Sequence, residues 1–517
     1  RDWSSDVCSS DLAFMWKFAS LAACAVVLTA SVAALGEEQS AAPPAPEAPH
    51  DMAAYTAFSK LPDFSGAWLA DKTPTQATIN ADIPLKPKYA TQLAKLKASA
   101  KGNTKPKRDR FCRPLGLPLT ASHVGPLMEI LYAPGHIFIN TEAMEGRDIH
   151  TDGRKLPVES QIDGFAGYSV GRWEGDTLII DSIGFLADID LVPGIINAGD
   201  LRLSERIHLV GPDKLEDQIT LSGAKALDKP YSYSVTYTRH REWQAAEYIC
   251  LTESHTDYKV EGYKPTAAQL IASTDRKPPV RQPAPGKIAT QADWEALAKL
   301  PDWYGFWNFD QAPNELVTAE YIPVPPPREK YLKYLYGIRD VGGDTPSDVY
   351  HCRPRGAAQM MKAAGAGFFW VFTPGQVTMV PNNSQVRRYY TDGRPVPKKL
   401  ELSFNGFSTA HWEGDTLVAE TVGLRPDIQM FYGMPSGDNL RLVERIRTIA
   451  PNKTEFAVTQ YSDVALTKPW SYRRTFTRHR DWDMLEDYCA QNNRDVGTDT
   501  GMQIFDLTPP PEISDGN

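Results

Sequence analysis

Much that would announce a function is missing from this chain. Six cysteines in 517 residues form no Cys-x-x-Cys pair, and no His-x-Glu-x-His spacing occurs, so the local patterns of zinc modules are excluded. There is no Gly-x-Ser-x-Gly, no Gly-rich phosphate loop and no dinucleotide fingerprint, so no cofactor is expected. Basic residues are in deficit: 55 Lys and Arg stand against 64 Asp and Glu, spread without runs. Nucleic acid, which needs a basic footprint, is therefore not an expected partner.

Long apolar runs are also rare, and the one that occurs lies near the start. Residues 1–12 are acidic, lack the positive start of a signal peptide, and resemble a translated sequencing adapter. Behind them, residues 13–36 combine Lys17, an apolar run over 18–34 and small residues near Gly36, the pattern of a cleaved signal peptide. The expected location is periplasmic or secreted, with no stable membrane span after cleavage. A second reading makes Leu21-Ala-Ala-Cys24 a lipoprotein acylation site.

What is present is a repeat. Leu61-Pro-Asp-Phe-Ser-Gly-Ala-Trp68 is answered by Leu300-Pro-Asp-Trp-Tyr-Gly-Phe-Trp307, and Thr151-Asp-Gly-Arg154 by Thr391-Asp-Gly-Arg394. Trp173-Glu-Gly-Asp-Thr-Leu178 returns as Trp412-Glu-Gly-Asp-Thr-Leu417, and Thr238-Arg-His-Arg-Glu-Trp243 as Thr477-Arg-His-Arg-Asp-Trp482. The offset stays at 239 or 240 residues throughout. Repeat 1 covers 51–257, a Lys/Pro-rich linker covers 258–289, repeat 2 covers 290–494, and an acidic tail covers 495–517. Of the cysteines, Cys112 corresponds to Cys352, and Cys250 and Cys489 each close a repeat. The expected pairs are Cys112–Cys250 and Cys352–Cys489, in keeping with an exported protein.

Within each repeat, short alternating segments separated by turn residues indicate an antiparallel meander. Turns are expected at Asp152-Gly153, at Glu174-Gly175 and near Pro212–Lys214, with short helices over 51–60, 86–100, 291–299 and 328–336. Closure removes exposed edges, so the fold class is all-β: two tandem homologous antiparallel barrels with short peripheral helices. Period-two faces place Glu205 with the apolar residues of 201–209, and Tyr237, Arg239 and Arg241 with those of 233–243. A buried charge needs a partner, so Glu205 should pair with Arg239 or Arg241.

The Gly66-Ala-Trp68 and Gly305-Phe-Trp307 motifs resemble the Gly-x-Trp of lipocalins, with Arg239 and Arg478 where lipocalins pack an arginine over that tryptophan. Glu205-Arg-Ile207 and Tyr237-Thr-Arg239 are similar to fatty-acid-binding barrels. The longer signature, Tyr-Thr-Asp-Gly-Arg followed by Trp-Glu-Gly-Asp-Thr-Leu-Val, resembles a family of exported bacterial proteins and brings no function with it. The resemblance implies a calycin-like barrel used twice.

Residues common to both repeats serve both barrels and default to scaffold. The candidate ligand-binding set is Arg239, Arg241, Tyr237, Glu205 and Tyr168, with a guanidinium suited to a carboxylate. Residues unique to one repeat are better site candidates: His123, His136, Glu142, His150 and His208, the last four answered by Gln376, Asn382, Tyr390 and Arg447. Glu142 and His150, flanking the expected Asp-Gly hairpin, form the candidate acid–base pair. A metal held by His136, Glu142 and His150 lacks a supporting spacing, so no metal is expected. The leading expectation is an exported protein that binds a small apolar or aromatic molecule, including acids. The alternative is a cofactor-independent lyase, hydratase or isomerase acting on a hydrophobic small molecule.

Overall fold

Both repeats close into nine-stranded barrels in the computed structural model, which apart from short breaks describes residues 52–99, 114–247, 282–309, 323–332, 356–360, 367–486, 495–497 and 503–505. Repeat 1 contributes β1 (Ala67–Ala70), β2 (Leu127–Ala133), β3 (His136–Thr141), β4 (Met144–His150), β5 (Tyr168–Glu174) and β6 (Thr177–Ile183). A two-stranded excursion, β7 (Asp190–Val192) and β8 (Ile195–Ile196), precedes β9 (Arg202–Gly211), β10 (Lys214–Ser222) and β11 (Tyr231–His240). A short pair, β12 (Trp243–Gln244) and β13 (Gln282–Pro283), follows. Repeat 2 matches with β14 (Phe306–Phe309), β15 (Phe368–Thr373), β16 (Gln376–Pro381), β17 (Arg387–Tyr390), β18 (Phe407–Glu413) and β19 (Thr416–Val422). The small pair β20 (Gln429–Phe431) and β21 (Met434–Pro435) leads to β22 (Arg441–Ala450), β23 (Lys453–Tyr461) and β24 (Trp470–His479).

The order around barrel 1 is β1-β11-β10-β9-β6-β5-β4-β3-β2, and barrel 2 follows the same order. The expected helices occur as Ala54–Phe58, Pro87–Ser99, Gln291–Leu297 and Glu329–Leu332. Thr290 starts the third with a capping box, its hydroxyl accepting from Asp293 N. Among the described residues no helix is long and apolar enough to cross a membrane. The segment 13–36, Cys24 and all four cysteines of the expected disulfides lie outside the described residues, as does His123.

Two turns differ from expectation. Asp152-Gly153 does not join an antiparallel hairpin, because β4 and β5 pair in parallel through Ile149–Ser169 and His150–Val170. Asp152 instead caps its own loop, Oδ1 accepting from Arg154 N at 3.0 Å. In the Trp-Glu-Gly-Asp motif, Glu174 still pairs with Thr177, so the two turn residues are Gly175 and Asp176. Only Gly175 has positive φ, at 62°, which is the pattern of a type II′ hairpin turn.

A buried ion pair lies inside each barrel, and its partners are not those the strand faces suggested. Glu205 pairs with Arg147 of β4 rather than with Arg239 or Arg241: Arg147 Nη1 donates to Oε1 at 3.0 Å and Nη2 to Oε2 at 2.5 Å. Ser182 and Ser169 accept from Arg147 Nη2 and Nε at 2.9 and 3.2 Å. Barrel 2 repeats this with Arg387, Glu444 and Thr421. Arg239 lies at the barrel end over Trp68, 4.3 Å from the ring centroid, donating to the carbonyls of Asp63, Ser65 and Pro212. Arg241 lies past β11 and binds Asp213 at 2.9 Å.

β2 and β15 are buried at every position and, apart from Glu129 and the terminal Thr373, apolar throughout, because both faces are covered. Ile130, Tyr132, Phe368 and Trp370 belong to the main core that includes the barrel interiors. Leu131, Ala133, Phe138, Phe369, Val371 and Val380 form a second cluster between the barrels. Polar contacts across this seam are reciprocal under the repeat. Tyr55 of repeat 1 accepts from Phe372 N of barrel 2 at 3.0 Å, while Trp294, its counterpart, packs on Tyr132 of barrel 1 at 5.8 Å. Arg154 donates to Asp483 at 2.7 Å, and Arg394 to Gln244 at 2.7 Å. The two repeats therefore meet through the same surface on each, as an isologous dimer does.

Candidate functional site at the barrel seam

Strand alternation and one ladder register bring three of the chain's polar side chains together. In Asp148-Ile149-His150, Ile149 enters the core of barrel 1 while Asp148 and His150 share the opposite, outward face. β3 pairs with β4 so that His136 faces His150 directly. His136 Nδ1 is 2.8 Å from Asp148 Oδ1, and the two imidazole rings are 5.2 Å apart. Ligand atoms of His136, Asp148 and His150 all lie within 4.8 Å of one another.

This face is turned to barrel 2. Phe369 packs 5.1 Å from the His136 ring, Tyr304 6.2 Å from it, and Tyr168 lies 4.9 Å from the His150 ring. Asp483, from the end of repeat 2, stands 4.0 Å from His150 Nδ1. Burial pushes the Asp148 carboxyl up, but the neighbouring His136 and His150 hold it below the usual carboxylate range. Burial also opposes a charge on His136, yet Asp148 outweighs it and raises the imidazole above its ordinary value. His150 is lowered, by burial first. Two buried atoms of the cluster, Asp148 Oδ2 and His150 Nδ1, have no hydrogen-bond partner.

The sister positions show what the cluster replaced. His136, Asp148 and His150 correspond to Gln376, Arg388 and Tyr390. Arg388 binds Glu129 across the seam, and Gln376 donates to Thr378 at 2.8 Å. Repeat 2 thus satisfies Gln376 internally and Arg388 by an ion pair.

Glu142 and His150 do not meet. Glu142 follows β3 at the end where Thr141 pairs with Met144, whereas His150 sits at the far end of that ladder. Glu142 Oε2 accepts from Leu127 N and Oε1 from Ala246 N, each at 2.8 Å. Asn382, its counterpart, accepts from Gly367 N in the same manner. A carboxylate tied to two backbone amides is a structural clasp. Tyr237 donates to Ala121 O, and Tyr168 accepts from Arg154 at 3.0 Å. His208 faces Glu216 at 3.4 Å on the barrel surface.

Clefts open along the seam. One of 340 Å³ is walled by residues of both repeats, including Glu129, Arg241, Trp243, Lys287, Gln376 and Arg394. Non-aromatic residues line it where repeat 2 has aromatic ones: the small Ser65 and Ala67 answer Tyr304 and Phe306, and Glu129 answers Phe369. On the other side of the seam those rings pack together, Phe306 on Phe369 at 5.6 Å. A second cleft of 120 Å³ lies beside Glu247 and Arg425. The third, only 50 Å³, is lined by Asp148, His150, Tyr168, Asn382 and Glu486.

One sequence signal pointed to the cluster. Asp148-x-His150 places two ligand-type side chains on one strand face, but β4 also carries Gly146 and Arg147 and shows no apolar alternation. The chain matches no protein-family model and no curated protein.

Proposed function

We propose that this is an exported binding protein for a small polar or acidic molecule with an apolar face, held at the seam between the barrels. The observation that carries the reading is the 340 Å³ cleft, which falls at the lower end of the 300–1,000 Å³ typical of small-molecule sites. Its walls carry Arg241, Arg394 and Lys287, ion-paired with Asp213, Asp392 and Asp293, as charged groups for a polar or acidic ligand, and Trp243 for a ring or alkyl face. The barrel interior is a poorer choice, since Arg147, Glu205 and the apolar core occupy it. Export rests on the sequence of residues 13–36 and would favour pairing of Cys112 with Cys250 and of Cys352 with Cys489.

A thermal-shift screen against small carboxylic acids and polar metabolites tests the reading. Ser65→Tyr with Ala67→Phe installs the residues of the sister repeat and fills the cleft. Hits should raise the melting temperature of the wild type and leave this variant unmoved. Equal shifts in both proteins would move the ligand elsewhere.

The second reading, a cofactor-independent lyase, hydratase or isomerase, is favoured by the hydrogen-bonded His136–Asp148 couple in place of Glu142. It requires turnover of a ligand found in the screen, lost in His136→Gln.

A further inference from the structure

We propose that His136, Asp148 and His150 hold one divalent transition-metal ion of the zinc or ferrous class, with water in its remaining positions. Three separate observations meet here. The donors are two imidazoles and one carboxylate on one face of a two-stranded ladder, a set that suits borderline first-row ions rather than the all-oxygen shells of Mg²⁺ and Ca²⁺. Asp148 Oδ2 and His150 Nδ1 are buried without hydrogen-bond partners, whereas the sister repeat pairs Arg388 with Glu129 and Gln376 with Thr378. Such orphans are costly unless something completes them.

The third observation is size. The adjoining cleft measures 50 Å³, room for a few waters at about 10–15 Å³ each and too little for an organic ligand. Metal–nitrogen bonds of about 2.0–2.1 Å need donors closer together than the present 4.8 Å spread, a gap that side-chain rotation can close. Asp483, 4.0 Å from His150, is placed to orient that ring or accept from a bound water.

The test is a Co²⁺ and Zn²⁺ titration of the full chain after chelator treatment, read by calorimetry and Co²⁺ absorption, beside His136→Gln and His150→Tyr. Both variants carry the residue that the sister barrel accommodates at that position. The wild type should bind one ion per chain with visible Co²⁺ bands and no thiolate charge-transfer band. Each variant should bind more weakly by over about a hundredfold, beyond what outer-shell changes cause, with unchanged circular dichroism. Unchanged affinity in the variants overturns the proposal. So does a thiolate band, which would assign the ion to cysteines, or equal binding of Mg²⁺. Should the variants fail to fold, the wild-type spectrum decides alone: absence of Co²⁺ bands rejects the site. No organic ligand enters this experiment, so its result is independent of the larger cleft.

Discussion

Glu247 and Glu486 each clasp the other's barrel. Glu247, at the end of repeat 1, accepts from Phe404 N at 2.6 Å and Asn405 N at 2.9 Å in repeat 2. Glu486, its counterpart, accepts from Phe165 N at 2.6 Å and Ala166 N at 2.8 Å in repeat 1. Gly164 leaves room for this, since a Cβ there would lie 2.4 Å from the Glu486 carboxylate. Replacing either acid by Ala strands two amides, at about 1–3 kcal/mol for each one left buried and unsatisfied. Urea denaturation of Glu247→Ala and Glu486→Ala should show losses of about 2–6 kcal/mol, and the double variant should split one transition into two.

The same pair makes a pH prediction. Burial raises both carboxyls above their ordinary value, opposed by the amide hydrogen bonds. A raised acid contributes stability that is complete below its unfolded pKa of about 4.5 and is lost as pH rises through the folded value. The stability advantage of the wild type over Glu247→Gln/Glu486→Gln should therefore be greater at about pH 4 than at about pH 7.5. An advantage that grows with pH would contradict this sign.

Arg147 and Glu205 exemplify a buried pair whose halves depend on each other. Arg147→Met should cost about 3–5 kcal/mol by leaving Glu205 uncompensated, while Arg147→Met/Glu205→Leu should recover most of it. Asp217, raised by burial and then by Glu205, should become easier to ionise in the double variant. Chemical denaturation of the three proteins checks the cycle; additive losses would show the pair to be uncoupled.

Gly175 and Gly167 separate backbone strain from crowding. Gly175 has φ of 62° with open space at its Cβ position, so Gly175→Ala should cost only the backbone penalty of that conformation, about 1–3 kcal/mol. Gly167 has φ of 66° and a Cβ position 2.5 Å from Ile183 O, so Gly167→Ala should cost distinctly more. Melting temperatures rank the two, and neither should change ligand specificity.

The fold was legible where the chain repeats itself and where apolar residues alternate. The barrels and the helices follow from such signals, and the Arg239–Trp68 packing is the one the lipocalin resemblance implied. β4 was not legible, because Arg147 points inward beside Ile149 while Asp148 and His150 face the other barrel. Both faces of that strand are buried and both carry charge, so period-two reasoning has no polar side to find. The Glu205 partner was missed for the same reason. The seam was hidden as well: Phe369 and Val371 look like barrel core until β15 is seen to be covered on both sides.

Native mass spectrometry of the protein purified from its source tests the seam most directly. The wild type should carry an added mass matching one small molecule, and Ser65→Tyr/Ala67→Phe, purified identically, should not. A mass retained equally by both proteins, or none in the wild type, would contradict a ligand held between the barrels.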